Sequence, residues 1–148
     1  MSNPITARLS AMIIKCTRVK ELSVVKKPWY AQAVTPTNPC GILIGRFMPP
    51  HTGHQYLVRF ARAFTNTIVI FVCTLPKDPI PGDLRYSWMK QLFPFARIVH
   101  ITEEIPQAAR GEQNAHRIWA QAIRKYLTED PGYVFASESY GADFAAAL

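Results

Sequence analysis

The sequence predicts an α/β protein built on a doubly wound parallel sheet. Three observations indicate this class: short β-branched apolar runs, amphipathic segments with a helical repeat, and a regular alternation of the two from residue 41 onward. Strands that alternate with helices are typical of βαβ units, which place their strands parallel. The chain has 148 residues, which is long enough for one such domain with its own core.

The alternation begins with a strand at residues 41–44 and a helix from residue 52 or 53 to about residue 65. Apolar residues recur in that helix at i, i+3, i+4 and i+7 and predict one buried face, made of Tyr56, Leu57, Phe60, Ala61 and Phe64. The next strand, residues 67–74, is apolar throughout. Such a run is expected where helices cover both faces of a sheet.

The second half of the chain continues the pattern. It predicts a helix at residues 84–93, a strand at 97–102, a helix at 116–127, a strand at 133–136 and the start of another helix after it. Right-handed crossovers between such strands place ligands beyond the carboxyl ends of the strands, where the strand order reverses. The loop that follows the first strand should therefore lie beside a ligand.

Residues 1–40 differ from the rest and predict a basic, poorly ordered N-terminal extension, because they show no sustained periodicity. They hold six Lys or Arg residues and one acidic residue, so that residues 41–148 carry only +2 of the net charge of +7. A nearly neutral body lacks the clustered basic face of a nucleic-acid binder. No apolar run approaches the length of a membrane span, so no membrane partner is expected.

The three cysteines form no CxxC pair, and the four histidines show no metal-ligand spacing with them. This pattern favours unpaired thiols in a reducing cytoplasm and predicts no protein metal site.

The segment PPHTGH, residues 49–54, is the candidate for chemistry, because it joins the first strand to the first helix. A helix N-terminus offers backbone amides and the positive end of a dipole to an anion. Gly53 lets a phosphate approach the backbone closely. His51 and His54 can direct ring N–H groups at phosphate oxygens, whose charge is redistributed during phosphoryl or nucleotidyl transfer. A single histidine after a strand is usually structural, but two around a glycine favour a phosphate site.

Gly45, Arg46 and Phe47, followed by HTGH, resemble the HxGH signature of the cytidylyltransferase-like nucleotidyltransferase superfamily. The stretch GRFMPPHTGHQYLVRFA is similar, more narrowly, to the nicotinamide mononucleotide adenylyltransferase domain of bacterial bifunctional NAD-biosynthesis proteins, which usually add a ribosylnicotinamide kinase domain. The stretches LPKDPIPGDLRYSWMKQLFP, IWAQAIRKYL and VFASESYG extend the resemblance over residues 41–148. It implies a Rossmann-like, HUP-type nucleotidyltransferase fold.

The resemblance implies that AMP is transferred from ATP to nicotinamide mononucleotide, giving NAD and pyrophosphate. His51 and His54 would be catalytic, through contacts to the ATP phosphates. The nucleotide would be bound by Gly45, Arg46, Phe47, Gly53, Ser137 and Glu138. Arg85 is a candidate contact for a substrate phosphate, and Trp88 and Trp119 are candidates for stacking on the nicotinamide ring. Mg²⁺ would be held by the phosphates and water, with no protein cage.

Ordinary structural roles stand beside these assignments. Trp88 and Trp119 are tryptophans of helices, which are more often core or surface anchors than ligand platforms. Arg85 could lie on a solvated helix face. Ser137 and Glu138 could do no more than cap the next helix. The remaining two histidines are expected to be structural, namely His100 and His116.

Two features of the family do not occur before Leu148. One is a segment resembling I-S-x-T-x-I-R after a fifth strand, which clamps the triphosphate, and the other is the P-loop of the kinase domain. We therefore expect a C-terminally truncated fragment or a degenerate copy. The alternatives are another HxGH transferase that acts on pantetheine phosphate or a different phosphorylated acceptor, or a silent nucleotide-binding remnant. Homo-oligomerisation is left open.

Overall fold

The structure is a computed structural model that describes residues 15–19, 39–105, 115–137 and 140–148. Over these residues five strands alternate with four helices. The strands are β1 (Lys15–Arg18), β2 (Cys40–Gly45), β3 (Ile68–Cys73), β4 (Arg97–Ile101) and β5 (Pro131–Ala136). The helices are α1 (Thr52–Ala61), α2 (Gly82–Leu92), α3 (Ala115–Arg124) and α4 (Gly141–Ala147). Within this part of the chain, no helix combines the length and the apolar character needed to cross a membrane.

The strands form one sheet in the order β1-β5-β2-β3-β4. Strands β2, β3, β4 and β5 are parallel, and β1 is antiparallel to its neighbour β5. The chain moves outward from β2 to β3 and β4, and then returns to place β5 on the other side of β2. The same reversal defines the strand order of doubly wound nucleotide-binding sheets. The predicted fold class is therefore confirmed.

Two clusters of buried side chains cover opposite faces of the sheet, because successive residues of a strand point to opposite sides. One cluster joins α3 and α4 to the strands through Ile42, Val69, Phe71, Val99, Ala120, Ile123 and Phe144. The other joins α1 and α2 to them through Leu43, Ile70, Val72, Leu57, Val58 and Met89. Every residue of β3 is buried, as its apolar sequence predicts. Burial of each such aliphatic side chain contributes about 1.5–3 kcal/mol.

The buried face of α1 differs from the predicted one. The helix ends at Ala61, and its buried residues are Leu57, Val58 and Ala61. Tyr56 and Phe64, which were expected on that face, are about half exposed. Phe60 and Phe64 instead lie against Phe135 of β5, with ring centroids 6.1 and 5.6 Å away. The apolar repeat thus combined residues that are fully buried against the sheet with aromatic residues that are only partly buried.

Residues 1–40, predicted to be a poorly ordered extension, include the four-residue strand β1. It pairs with β5 from Lys15 opposite Ala136 to Arg18 opposite Tyr133. The N–H of Val19 then donates to the carbonyl of Gly132 at 2.9 Å. A four-residue strand is too short to show a period, and its partner lies more than one hundred residues away along the chain. Residues 1–14 and 20–38, which the same expectation covers, lie outside the described residues.

Candidate active site

The carboxyl ends of β2 and β5 lie side by side where the strand order reverses. The segment that follows β2, residues 46–54, is called the histidine turn below. Ser137 follows β5 and is exposed, whereas Glu138 lies outside the described residues. The hydroxyl of Tyr140 donates to the carbonyl of Ile44 at 3.4 Å and so ties the start of α4 to the end of β2. The structure therefore places the histidine turn and Ser137 at the predicted edge of the sheet.

Phe47 shapes the histidine turn from within. Its backbone adopts a positive φ of 48°, and the following Met48–Pro49 peptide bond is cis. Its side chain is buried, with its ring centroid 4.8 Å from that of His54 in an edge-on contact. A Cβ added to Gly45 would lie 3.0 Å from the Phe47 ring, which is closer than side chains normally pack. Gly45 thus leaves the space into which the ring of Phe47 folds back towards His54.

The two histidines cap α1 with their own side chains. The N–H of Gly53 donates to Nδ1 of His51 at 3.1 Å, and the N–H of His51 donates to Nδ1 of His54 at 3.2 Å. This reciprocal pair is a capping box, a motif usually made by Ser or Thr with Glu or Gln at the same spacing. The expectation of open amides in the first turn is therefore corrected, because Gly53 is bonded to His51 and the N–H of His54 donates to the His51 carbonyl at 3.0 Å.

The capping box also fixes where the ring protons lie. Each Nδ1 accepts a hydrogen bond, so in the neutral ring the proton must be on Nε2. The rings of His51 and His54 stack with centroids 3.8 Å apart and planes inclined by 27°. Each ring thus keeps an Nε2–H donor that the helix cap does not use. Two adjacent donors of this kind can bind the oxygens of a phosphate.

His54 is the neutral member of the site across the physiological range. Its pKa is lowered to about 4, first because the ring is largely withdrawn from water and second because a charge on His51 would repel its own. At neutral pH His54 is therefore a hydrogen-bond donor with no charge. An imidazolium ready to give up a proton would require a pKa near 7.

Arg85 occupies a different place from the one predicted. Its side chain is fully buried, with 0% exposure. Its Nε donates to the carbonyl of Ile80 at 3.0 Å, its Nη1 to the carbonyls of Cys73 at 3.2 Å and of Arg46, and its Nη2 to Asp78 at 2.6 Å. The prediction that Arg85 contacts a substrate phosphate is therefore wrong, because its donors are used inside the protein.

Asp78, which sequence reasoning missed, is the acceptor that joins two parts of the site. It lies in the loop between β3 and α2, residues 74–81, called the Asp78 loop below. Its side chain is 1% exposed and accepts hydrogen bonds from Leu75 N–H at 2.9 Å, from Arg85 and from Arg46. Burial alone would raise the pKa of this carboxyl, but the hydrogen bonds from Leu75, Arg46 and Arg85 outweigh it and hold the pKa below its usual range. Asp78 is thus an ionised, buried carboxylate.

The two candidate tryptophans lie on opposite sides of the sheet. Trp88 on α2 lines an open groove of about 370 Å³ together with Pro49, Pro50, Gln91 and Leu92. Trp119 on α3 is partly buried against the cluster that covers the other face. Only Trp88 is thus placed beside the histidine turn.

His100 has the structural role that was expected. Its Nε2 lies 3.0 Å from the hydroxyl of Thr74, which itself donates to the carbonyl of Ile101 at 3.1 Å. Its ring stacks on Tyr86 with centroids 5.1 Å apart. Elsewhere among the described residues, no group of three or more His, Cys, Asp or Glu side chains is arranged to hold a metal ion.

Comparison with known proteins gives no matching family model. The curated proteins that are similar in sequence include two that are each named trifunctional NAD biosynthesis/regulator protein NadR. The protein from Salmonella typhimurium is 22% identical over 114 residues and the one from Escherichia coli is 23% identical over 114 residues. Each alignment covers 66% of this chain but 28% of the relative, so the chain spans well under a third of their length. The resemblance to NAD-biosynthesis proteins is confirmed.

Three solved structures are also similar. NadR in complex with NAD and AMP-PNP has a TM-score of 0.49 at 20% identity, over 60% of this chain and 26% of that one. NadR in complex with NR has a TM-score of 0.49 at 19% identity, over 62% and 28%. A bifunctional NMN adenylyltransferase/ADP ribose pyrophosphatase from Francisella tularensis, with AMP and a manganese ion, has a TM-score of 0.45 at 21% identity, over 60% and 27%. Scores of this size assign no ligand and no residue role to the chain.

Proposed function

We propose that this chain, a relative of the NadR proteins, is a nucleotidyltransferase that transfers AMP from ATP to nicotinamide mononucleotide and releases pyrophosphate. The observation that carries the proposal is the pair of stacked histidines at the start of α1, each with an Nε2–H that the helix cap does not use, at the reversal point of the sheet. Doubly wound sheets bind nucleotides at this point. The sequence similarity to NadR supports the choice of acceptor.

The reaction suits neutral donors. A phosphate oxygen of nicotinamide mononucleotide attacks the α-phosphorus of ATP, and the bond from that phosphorus to the bridging oxygen breaks, so that pyrophosphate leaves with the electron pair. The attacking phosphate is already ionised, so the step needs no general base. Charge shifts among the phosphate oxygens, and the Nε2–H groups of His51 and His54 stabilise it there. A His54 pKa of about 4 fits this role of donor and not that of acid.

Mg²⁺ enters this scheme as part of the substrate, bound to ATP. The side chains at the histidine turn are N–H donors, and the nearby carboxylate of Asp78 is already engaged by two arginines. Such a set of residues does not form a carboxylate cage. Magnesium usually keeps several waters and binds through substrate phosphates, which fits this arrangement.

The groove beside Trp88 is the proposed place for the acceptor. It is bounded by Pro49 and Pro50 of the histidine turn on one side and by Trp88 on the other. Flat apolar walls of this kind suit a planar ring such as nicotinamide. Its volume of about 370 Å³ is within the range of small-molecule sites. Ser137, at the end of β5, and Glu138 are the proposed contacts on the nucleotide side.

The test is NAD formation from Mg-ATP and nicotinamide mononucleotide by the purified chain. His54→Ala should lower the rate by about 100-fold or more, because loss of one such donor in a preorganised site has that effect. His116→Ala, at the start of α3, is the matched control and should leave the rate unchanged. Absence of NAD from the folded parent chain at saturating substrates would reject the proposal. Retained ATP binding in that case would favour a silent nucleotide-binding protein.

A further inference from the structure

Two arginines share the single carboxylate of Asp78. Arg85 donates to Oδ2 at 2.6 Å, and Arg46 donates to Oδ1. Arg46 belongs to the histidine turn, whereas Asp78 and Arg85 belong to the Asp78 loop and to α2. The carboxylate therefore links the end of β2 to the end of β3 across 32 residues of sequence.

The Arg85 side of this link is fixed. Arg85 is fully buried, and the carbonyls of Ile80, Cys73 and Arg46 accept its other hydrogen bonds. Asp78 is itself 1% exposed and also accepts the N–H of Leu75. Neither group can move without leaving a charge buried and unpaired. Oδ1 of Asp78 is thus an acceptor held at a fixed point beneath the histidine turn.

The Arg46 side of the link faces outward. The side chain of Arg46 is 40% exposed, and only one of its N–H groups is accounted for by Asp78. Its Nε is buried and has no hydrogen-bond partner among the described residues. Among the described residues, these two guanidinium groups share one carboxylate, so that one positive charge is not balanced by it. Arg46 is therefore a cation that is held by Asp78 and has further N–H groups at the proposed nucleotide site.

We propose that Asp78 is a positioning residue, which holds the guanidinium of Arg46 in the orientation that binds a phosphate-bearing ligand while Arg85 holds Asp78. The inference rests on the proposed nucleotide site but not on the identity of the acceptor. Holding a guanidinium in advance strengthens binding because less freedom is lost when the ligand arrives. Arginine also keeps enough donors for both partners, since its guanidinium carries five N–H groups.

A double-mutant cycle tests the inference, with magnesium-free tripolyphosphate as the probe and calorimetry at low salt as the measurement. Arg46→Gln should weaken binding about tenfold, the size expected for one charge-assisted contact. In an Asp78→Asn background the same substitution should weaken binding by about twofold or less, because Arg46 is no longer positioned. Lys77→Gln, which removes an exposed charge from the same loop, should change binding by less than about twofold.

The size of the Arg46 effect in the second background decides between three roles for Asp78. An equal effect in both backgrounds would mean that Asp78 is merely structural, and a larger effect without Asp78 would mean that it competes with the ligand for Arg46. Either result overturns the proposal. So does the absence of measurable binding by the parent chain.

A second measurement needs no substitution at Asp78 and so stands even where Asp78→Asn does not fold. The ¹⁵N resonance of the Arg46 side-chain Nε–H is identified by its loss in Arg46→Lys. Its relaxation should show a rigid Nε–H group in the parent chain, and its chemical shift should change when tripolyphosphate is added. A mobile side chain, or a resonance that does not move at saturation, overturns the proposal. If the chain forms no NAD but shows both effects, the proposed reaction is rejected and the positioning role of Asp78 is retained.

Discussion

The histidine turn and the Asp78 loop follow neighbouring parallel strands at the same edge of the sheet, yet they are held in opposite ways. The Asp78 loop is held by charges that are buried and fully engaged, with Arg85 at 0% and Asp78 at 1% exposure. The histidine turn is held by two imidazole rings near the surface. In each ring Nδ1 accepts a hydrogen bond in the cap of α1, and Nε2 is not used by the cap. One loop is therefore held by buried ion pairs, whereas the other leaves ring N–H groups that the cap of α1 does not use.

Residue type alone therefore does not assign a role at such an edge. Arg85 and Arg46 contact the same carboxylate, but only Arg46 reaches solvent. The first is bound within the fold, and the second retains N–H groups that Asp78 does not accept. Two sets of substitutions and a change of pH test this division.

Removing the buried arginine should have the largest effect on stability. Arg85→Met leaves Asp78 buried with half of its ion pairing, and loss of one partner of a buried pair costs about 3–5 kcal/mol in the free energy of unfolding. Urea denaturation measures this change. Arg59→Met, on the exposed surface of α1, is the matched control and should cost less than about 0.5 kcal/mol. Equal effects of the two substitutions would show that the Asp78 loop is not scaffold.

Breaking the cap of α1 should cost less. His51→Ala removes the acceptor for the Gly53 N–H and should lower the free energy of unfolding by about 1 kcal/mol, as for other N-cap losses. The pair His51→Ser with His54→Glu restores a capping box of the usual type and should recover most of that stability. It should not recover NAD formation, because both Nε2–H donors are gone. A doubly substituted chain that still forms NAD would remove the catalytic role from the histidines.

Acid should lower stability through His54, whose ring is largely withdrawn from water. Its pKa in the folded chain is about 4, below the ordinary value of 6.5, so between these two values the unfolded chain binds more protons. Stability that depends on His54 is therefore lost as pH falls from 6.5 to 4. An NMR titration of the ring should show a midpoint near 4, and His54→Gln should lack this part of the pH dependence of unfolding. A midpoint near 6.5 would contradict the burial of the ring.

The sequence predicts those parts of the fold that depend on neighbours along the chain. The apolar run of β3 and the helical repeat of α3 give both elements to within a few residues of their observed bounds. The HTGH segment also falls where the strand order reverses.

Contacts between segments that are distant along the chain could not be predicted from the sequence. The acceptors of Arg85 lie 5, 7, 12 and 39 residues away from it, so no local pattern could show that this arginine is buried. Asp78 lies in a loop rich in proline, where an acidic residue ordinarily faces solvent. The capping box could have been predicted from the sequence, because the two histidines have the spacing that Ser and Glu have in that motif.

Strand β1 has a consequence for handling the protein. A basic tail without periodicity is an obvious piece to remove before purification, yet its residues 15–18 supply the hydrogen-bonding partner for the outer edge of β5. Without them, the backbone groups of Tyr133, Val134 and Phe135 would meet water or a strand from another molecule. A trimmed chain should therefore self-associate through β5.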